Sequence, residues 1–280
     1  MKRLLLGMLG LLLAGSVSAG GLLAVRARVE GSMVVTGTIG VTPQGTVLGY
    51  TLDQSEKLPP VVVEVIGKTV PGWTFQPVLQ DGKPVAAKAK MNLRLVARPL
   101  GEGKYQVAVR SAYFGDEEAA AKEMVVTRTK PRYPREAIQE RFSGTAYAIL
   151  RIDRAGHVAD AFARQVNMRV LADDKELERM RKLFAEATVK ALQQWIFVPA
   201  EPADRKPYRI VQVPVSYEVS EAGHLPFREV YGQWQSYVPG PTEPAPWFDR
   251  DMMLTGGDAL PGDGVYGPSS LSLLTPLDNG

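Results

Sequence analysis

The stretch Trp73-Thr74-Phe75-Gln76-Pro77 returns later in the chain as Trp195-Ile196-Phe197-Val198-Pro199. Ahead of each copy lie an alternating apolar run and a turn that ends in Gly45 or Gly156, and behind each copy lies a Lys-Pro pair. A phrase that recurs with matching flanks indicates one structural unit used twice. The sequence therefore predicts two copies of a strand, strand, helix, strand unit. Because Trp and Phe point the same way in an extended segment, we expect both pairs to pack in the core.

The second copy has the clearer local pattern. Residues 146–152 alternate between the two faces of a strand, and Asp153-Arg154-Ala155-Gly156 has the residue preferences of a type I turn, which predicts a hairpin. Asp173 and Glu176 have the spacing of a helix capping box, and apolar residues then recur at three- and four-residue steps. We therefore expect an amphipathic helix of about five turns, which Pro199 ends.

The last strand of the second copy is the most regular in the chain. Its inward face is predicted to comprise Arg209, Val211, Val213, Val215, Tyr217 and Val219. Pro214 lies on the opposite face, and a proline has no N–H to donate to a central ladder. We therefore predict an edge strand, and an exposed edge is a template for the addition of another strand.

The first copy is a degenerate version of the same plan. Its helix candidate, Leu58–Lys68, is rich in β-branched residues and is followed by Pro71-Gly72, so we expect a short or distorted helix. Met91–Arg98 and Tyr105–Phe114 alternate on either side of a Gly-rich turn and predict an additional hairpin.

The start of the chain differs in composition from its body. A basic Met1-Lys2-Arg3, an apolar run and the small residues Val17-Ser18-Ala19 predict a cleaved export signal over residues 1–19. The alternative is an uncleaved membrane anchor, because no charged residue lies between Arg3 and Arg26.

The end of the chain, residues 223–280, loses its periodicity and becomes rich in Pro and Gly. It carries two arginines against seven acidic residues, a net charge of −5, and we predict a largely disordered acidic tail. The alternative is that its first part, Leu225–Val238, packs on the body, because aromatic residues rarely accumulate in segments that only face solvent.

Composition narrows the possible functions. The 280 residues accommodate units at 20–128 and 129–222 beside the two ends. The chain has no cysteine, two histidines, no Gly-x-Ser-x-Gly motif and no Gly-rich phosphate loop, so we predict no enzyme activity, no cofactor and no metal site. The net charge of only +3 argues against a nucleic-acid partner.

Four separated motifs in the second copy resemble the TonB C-terminal domain. They are Pro131–Ala137, Gly144–Val158, Ala187–Pro199 and Val213–Tyr217. The resemblance covers about residues 129–220, and the first copy is similar only in a degenerate form, because it lacks the Tyr-Pro pair. It implies an α+β fold of two tandem units, each a three-stranded antiparallel sheet with a helix on one face, in the periplasm of a Gram-negative cell.

In that family the domain binds a short segment of outer-membrane transporters, the TonB box, as an added strand. The resemblance therefore implies an outer-membrane TonB-dependent transporter, or another envelope protein, as the partner. Tyr133-Pro134 is either an extended lead-in to the first strand or part of the binding surface. The candidate peptide-binding residues are Tyr133, Pro134, Tyr208, Ile210, Gln212, Pro214, Ser216 and Glu218.

Two other functions remain open alongside a periplasmic peptide-binding protein. One is an energy transducer anchored in the inner membrane. The other is an envelope scaffold that does not transduce energy and that dimerises through its edge strands.

Overall fold

The computed structural model describes residues 29–101, 104–115, 125–201, 206–219, 230–247, 257–260, 262 and 264–277. The predicted signal or anchor at residues 1–19 lies outside this range. Within the described part of the chain, no helix combines the length and the apolar character that a membrane span requires.

The first unit is built on a five-stranded antiparallel sheet. Its strands are β1 (Glu30–Val41), β2 (Val47–Leu52), β5 (Ala87–Gly101), β6 (Lys104–Phe114) and, from the tail, β12 (Gln235–Tyr237). The order across the sheet is β2, β1, β5, β6, and β12 lies beside the start of β1. The remaining elements are the helix α1 (Pro60–Thr69) and the small hairpin of β3 (Val78–Gln80) and β4 (Lys83–Val85).

The second unit has the predicted three-stranded antiparallel sheet. Its strands are β8 (Gly144–Asp153), β9 (Val158–Met168) and β11 (Tyr208–Tyr217), in the order β11, β8, β9. The long helix α3 (Asp174–Leu192) packs on the sheet, and the capping box is confirmed by the Glu176 N–H, which donates to Asp173 at 2.9 Å. The remaining elements are α2 (Arg135–Gln139) and the short pair β7 (Val125–Thr127) and β10 (Ile196–Phe197).

The two units share one strand order, because β5, β1 and β2 correspond to β11, β8 and β9. Their turns match as well. The Phe75 N–H donates to the Gly45 carbonyl at 2.7 Å, and the Phe197 N–H donates to the Gly156 carbonyl at 2.8 Å. The Trp and Phe side chains of both motifs are buried, as predicted. The α+β class is confirmed.

The first unit departs from a three-stranded sheet because neighbouring segments add strands to it. A hairpin of β5 and β6 forms where one was predicted, but only β6 is additional, because β5 corresponds to β11 of the second unit. The predicted short helix is also confirmed, since α1 buries only Val62 and Ile66 and passes into a 3₁₀ turn at Val70–Gly72.

The described parts of the tail are ordered against the body, which differs from the largely disordered tail that composition favours. Tyr237 pairs with Glu30 of β1, and the next residue, Val238, exchanges two backbone hydrogen bonds of 2.9 and 3.0 Å with Met168 of β9. Tail residues Tyr266 and Leu271 are also buried. Buried aromatic and aliphatic side chains offset the entropy lost on ordering a Pro- and Gly-rich segment.

Substitution of either turn glycine is expected to destabilise the fold. Gly45 and Gly156 have φ angles of +82° and +93°, and a Cβ on either would lie 2.0 Å from the carbonyl oxygen of Phe75 or Phe197. We expect Gly45→Ala and Gly156→Ala to lower the free energy of unfolding by more than about 2 kcal/mol, because backbone strain and a clash add together.

The matched control is Gly82→Ala, where φ is +75° but no atom lies within 4 Å of the added Cβ. Only the backbone strain of about 1 to 2 kcal/mol then applies. Urea unfolding of the three variants provides the measurement, and equal losses in all three would contradict the proposed close approach.

Candidate peptide-binding groove

Strand β11 lies at the edge of the second sheet, as Pro214 predicts. Its inward side chains Val211, Val213, Val215 and Tyr217 belong to the core under α3. The backbone N–H and C=O of Gln212 turn away from β8. Since alternate residues of an antiparallel edge strand share this orientation, the backbones of Pro214 and Ser216 face outward too.

A groove of about 270 Å³ runs beside the second half of β11. One wall is the strand from Val213 to Tyr217, and the other is the irregular segment that precedes α2. From that segment Arg128, Lys130, Pro131 and Tyr133 line the groove, and Trp195 closes one side.

Tyr133 anchors the outer wall to the core. Its ring meets the rings of Phe184 and Tyr217 edge-on, at centroid distances of 5.8 and 5.4 Å, and its hydroxyl donates to the Phe142 carbonyl. Burial raises the pKa of Tyr133 to about 12. This residue is therefore both the lead-in to the first strand and a wall of the groove.

Tyr217 holds the inner wall in the same way. Its ring stacks on Phe184 at 4.4 Å, and its hydroxyl lies 2.8 Å from the hydroxyl of Thr188 on α3. Burial raises the pKa of Tyr217 to about 12. The groove therefore rests on a cluster of packed aromatic rings that fixes its shape.

Trp195 joins the repeated motif to the groove. Its indole N–H donates to the Thr129 carbonyl at 2.8 Å, and the Arg128 guanidinium lies 4.8 Å from its ring centroid. Both contacts hold the segment before α2 against the end of α3. The wall so formed carries exposed cations, with Lys130 beside Arg128.

The middle of the β11 edge is occupied by the tail. Gln212 and Tyr266 exchange two backbone hydrogen bonds of 2.7 and 2.9 Å. Pro214 lies two residues beyond Gln212 on β11, and Pro268 lies two residues beyond Tyr266 on the tail. In this antiparallel pair the two prolines are on opposite sides of the Gln212–Tyr266 bridge. Because proline has no N–H, the pairing cannot propagate as a full ladder in either direction.

The structure brings only some of the predicted residues together. Tyr133, Pro214 and Ser216 line the groove, while Pro134 precedes the first turn of α2 and does not. Ile210 packs instead with the tail residues Ala245 and Trp247 on the face of the sheet opposite α3.

The other three predicted residues have different neighbours. Tyr208 lies at the far end of β11, where the Arg151 guanidinium stacks 4.4 Å from its ring centroid. The Gln212 side chain is buried in a cleft between the two units. Glu218 pairs with Arg169.

Sequence reasoning missed the cationic wall and the contact of the later tail with β11, although its alternative for Leu225–Val238 agrees with the packing of residues 230–238 on the body. The signal for the wall is the basic run ahead of the Tyr-Pro pair, which comprises Arg128, Lys130 and Arg132. Trp195 was expected only in the core, yet it also borders the groove. Nothing in the local pattern around Tyr266 indicates Gln212 as its partner.

The first unit has a strand where the second has this groove. When the two motifs and turns are aligned, Asn92 and Arg94 of β5 correspond to Pro214 and Ser216 of β11. β6 covers these positions, with Tyr113 opposite Asn92 and Ser111 opposite Arg94.

Comparison with protein-family models, with curated proteins and with solved structures gave no match. In the ranges that the structure describes, no three acidic or histidine side chains come together as metal ligands.

The two buried tyrosines predict a loss of stability at high pH. The unfolded chain loses these protons near pH 10, whereas the folded protein retains them until about pH 12. The contribution of these two tyrosines to the free energy of unfolding is therefore constant below about pH 10. The free energy of unfolding then falls as pH rises from about 10 to about 12.

Urea unfolding at a series of pH values checks this expectation, with Tyr217→Phe as the matched variant. The variant cannot ionise at that position, so its stability is expected to fall less steeply over the same pH range. An identical slope in both proteins would show that the Tyr217 hydroxyl is not protected by burial.

Proposed function

We propose that the protein binds an extended segment of another protein as an additional strand on the β11 edge. The observation that carries the proposal is the groove beside Val213–Tyr217, which lies where β6 pairs in the first unit. The resemblance of the second unit to the TonB C-terminal domain supports a partner of the TonB-box type.

The groove favours particular properties in such a segment. Its floor is apolar at Val213, Val215 and Trp195, which suits an aliphatic or aromatic side chain. Arg128 and Lys130 at its rim favour a segment that carries Asp or Glu. Backbone hydrogen bonds of about 0.5 to 1.5 kcal/mol each do not by themselves give tight binding, because Tyr266 already pairs with Gln212 and Pro214 has no N–H. We therefore expect a weak to moderate affinity that depends on side chains held in the groove.

The site of action belongs to the same proposal. A TonB-like protein of this kind would work in the periplasm, with an outer-membrane transporter or another envelope protein as its partner. Mass spectrometry of the mature protein decides between a released form and an inner-membrane energy transducer. A mature chain that begins at Gly20 excludes the anchored transducer.

Titration of the mature protein with TonB-box peptides tests the function itself. We expect weak to moderate binding by calorimetry, with NMR shifts confined to β11 and the segment before α2. The absence of binding both to these peptides and to transporter plug domains would overturn the proposal.

Charge reversal at the rim tests the orientation of the partner. Lys130 is exposed, so Lys130→Glu is expected to leave the fold intact and to weaken binding of an acidic peptide by about fivefold or more. The control is Lys182→Glu on the exposed face of α3, which makes the same charge change away from the groove. Equal effects of the two variants would point to a general charge effect.

Restoring the missing backbone donor tests the mode of binding. Pro214→Ala places an N–H on the outward side of β11, and we expect peptide affinity to rise about 2- to 10-fold by calorimetry. Light scattering on the same variant separates this outcome from the scaffold alternative, in which the added donor would promote dimers that block the peptide.

A further inference from the structure

A second, polar site lies where the two units and the tail meet. The cleft has a volume of about 390 Å³ and is separate from the groove before α2. Arg110 and Ser111 of β6 line one side, Arg164 and Gln212 of the second sheet line another, and Asp258 of the tail completes it. Each part of the fold thus contributes polar side chains.

Gln212 is the first indication of a ligand. Its side chain lines the cleft, the residue is only 3% exposed, and its Nε2 atom has no hydrogen-bond partner within the protein. A buried amide donor without an acceptor is costly in a native fold. A group that accepts hydrogen bonds in the cleft would remove that cost.

The charged side chains between the two units give the second indication of a ligand. Glu30 accepts from both Arg98 at 2.7 Å and Arg110 at 3.0 Å, and the Asp258 carboxylate lies 3.7 Å from Arg94. Among the described residues of this cluster, three guanidinium groups therefore accompany two carboxylates. The Asp258 oxygens are already engaged, since Ser111 and Tyr237 donate to them at 2.5 and 2.9 Å.

Arg164 adds a further cation to the cleft. Burial lowers the pKa of its guanidinium, which still remains charged at neutral pH. The position of a Cβ on Gly257 lies 3.9 Å from Arg164 Nη1 and 3.1 Å from Gln212 Oε1. The guanidinium and the amide therefore approach the same place, which a glycine leaves open.

We propose that this cleft binds a small molecule with a carboxylate or phosphate group, held by Gln212, Arg164 and Arg110. Guanidinium groups recognise both oxyanions through paired, charge-assisted hydrogen bonds, and the Gln212 amide supplies a further donor. Because the lining comes from both units and the tail, the ligand binds only the assembled protein and stabilises that assembly.

Inorganic phosphate and succinate, used separately with the full mature protein, test the site and distinguish the two oxyanions. Calorimetry gives the affinity of each. For the one that binds, a concentration of 100 times Kd is expected to raise Tm by about 5 °C or more. If neither binds and neither changes Tm, the cleft holds only water and the proposal is overturned.

Two variants assign the binding to these residues. Gln212→Leu removes an unpaired buried donor at similar volume, so we expect Tm without ligand to be unchanged or higher and affinity to fall about tenfold or more. Arg164→Gln is expected to weaken binding to a similar extent.

Arg179→Gln is the control, because it removes one positive charge on α3 beside Glu136 and Glu140, outside the cleft. Its affinity is expected to match that of the wild type. Binding that survives both Gln212→Leu and Arg164→Gln would place the anion elsewhere and overturn the proposal.

Discussion

The fold depends on one backbone contact that occurs twice. In each unit a phenylalanine N–H donates to the carbonyl of a turn glycine, from Phe75 to Gly45 and from Phe197 to Gly156. The contact is short because the glycine has no side chain and adopts a positive φ. It fastens the end of each helix to the first hairpin, so the Trp and Phe rings are fixed beneath the sheet.

The residues that make this contact also hold two neighbouring segments of the chain. Each motif also pairs with a further segment, since Phe75 forms an isolated bridge with Leu273 of the tail and Phe197 lies opposite Val125 of strand β7. In the second unit, that strand leads directly into the segment that forms the groove wall. The repeated motif was expected to identify only the fold, but Trp195 also supports the proposed binding surface.

The sequence predicted those features that neighbouring residues determine. The capping box at Asp173, the turn at Gly156 and the edge position of Pro214 each depend on residues close in the chain, and each agrees with the structure. The pairing of Val238 with Met168 and of Tyr266 with Gln212 depends on packing between distant segments. Local periodicity carries no signal for such contacts, so aromatic content suggested that Leu225–Val238 packs on the body, but neither the pairing partners nor the cleft could be predicted.

Whether a predicted binding residue lies in the groove is decided by packing between distant segments as well. Alternation along β11 identified the outward positions, but it could not tell which of them face the groove and which face the rest of the molecule. Ser216 lies in the groove, whereas Ile210 and Gln212 contact the tail side of the sheet. Only the three-dimensional path of the tail separates the two groups.

The pairing of β6 with β5 has a consequence for valency. A strand tethered by a short hairpin is present at an effective concentration on the order of millimolar, which a dilute external peptide does not match. In the described residues the first unit therefore holds its own chain at the position that the second unit leaves to a groove. Although the plan is duplicated, the proposed strand addition would therefore use the second unit alone. Avidity would then require several copies of the protein or repeated segments in its partner.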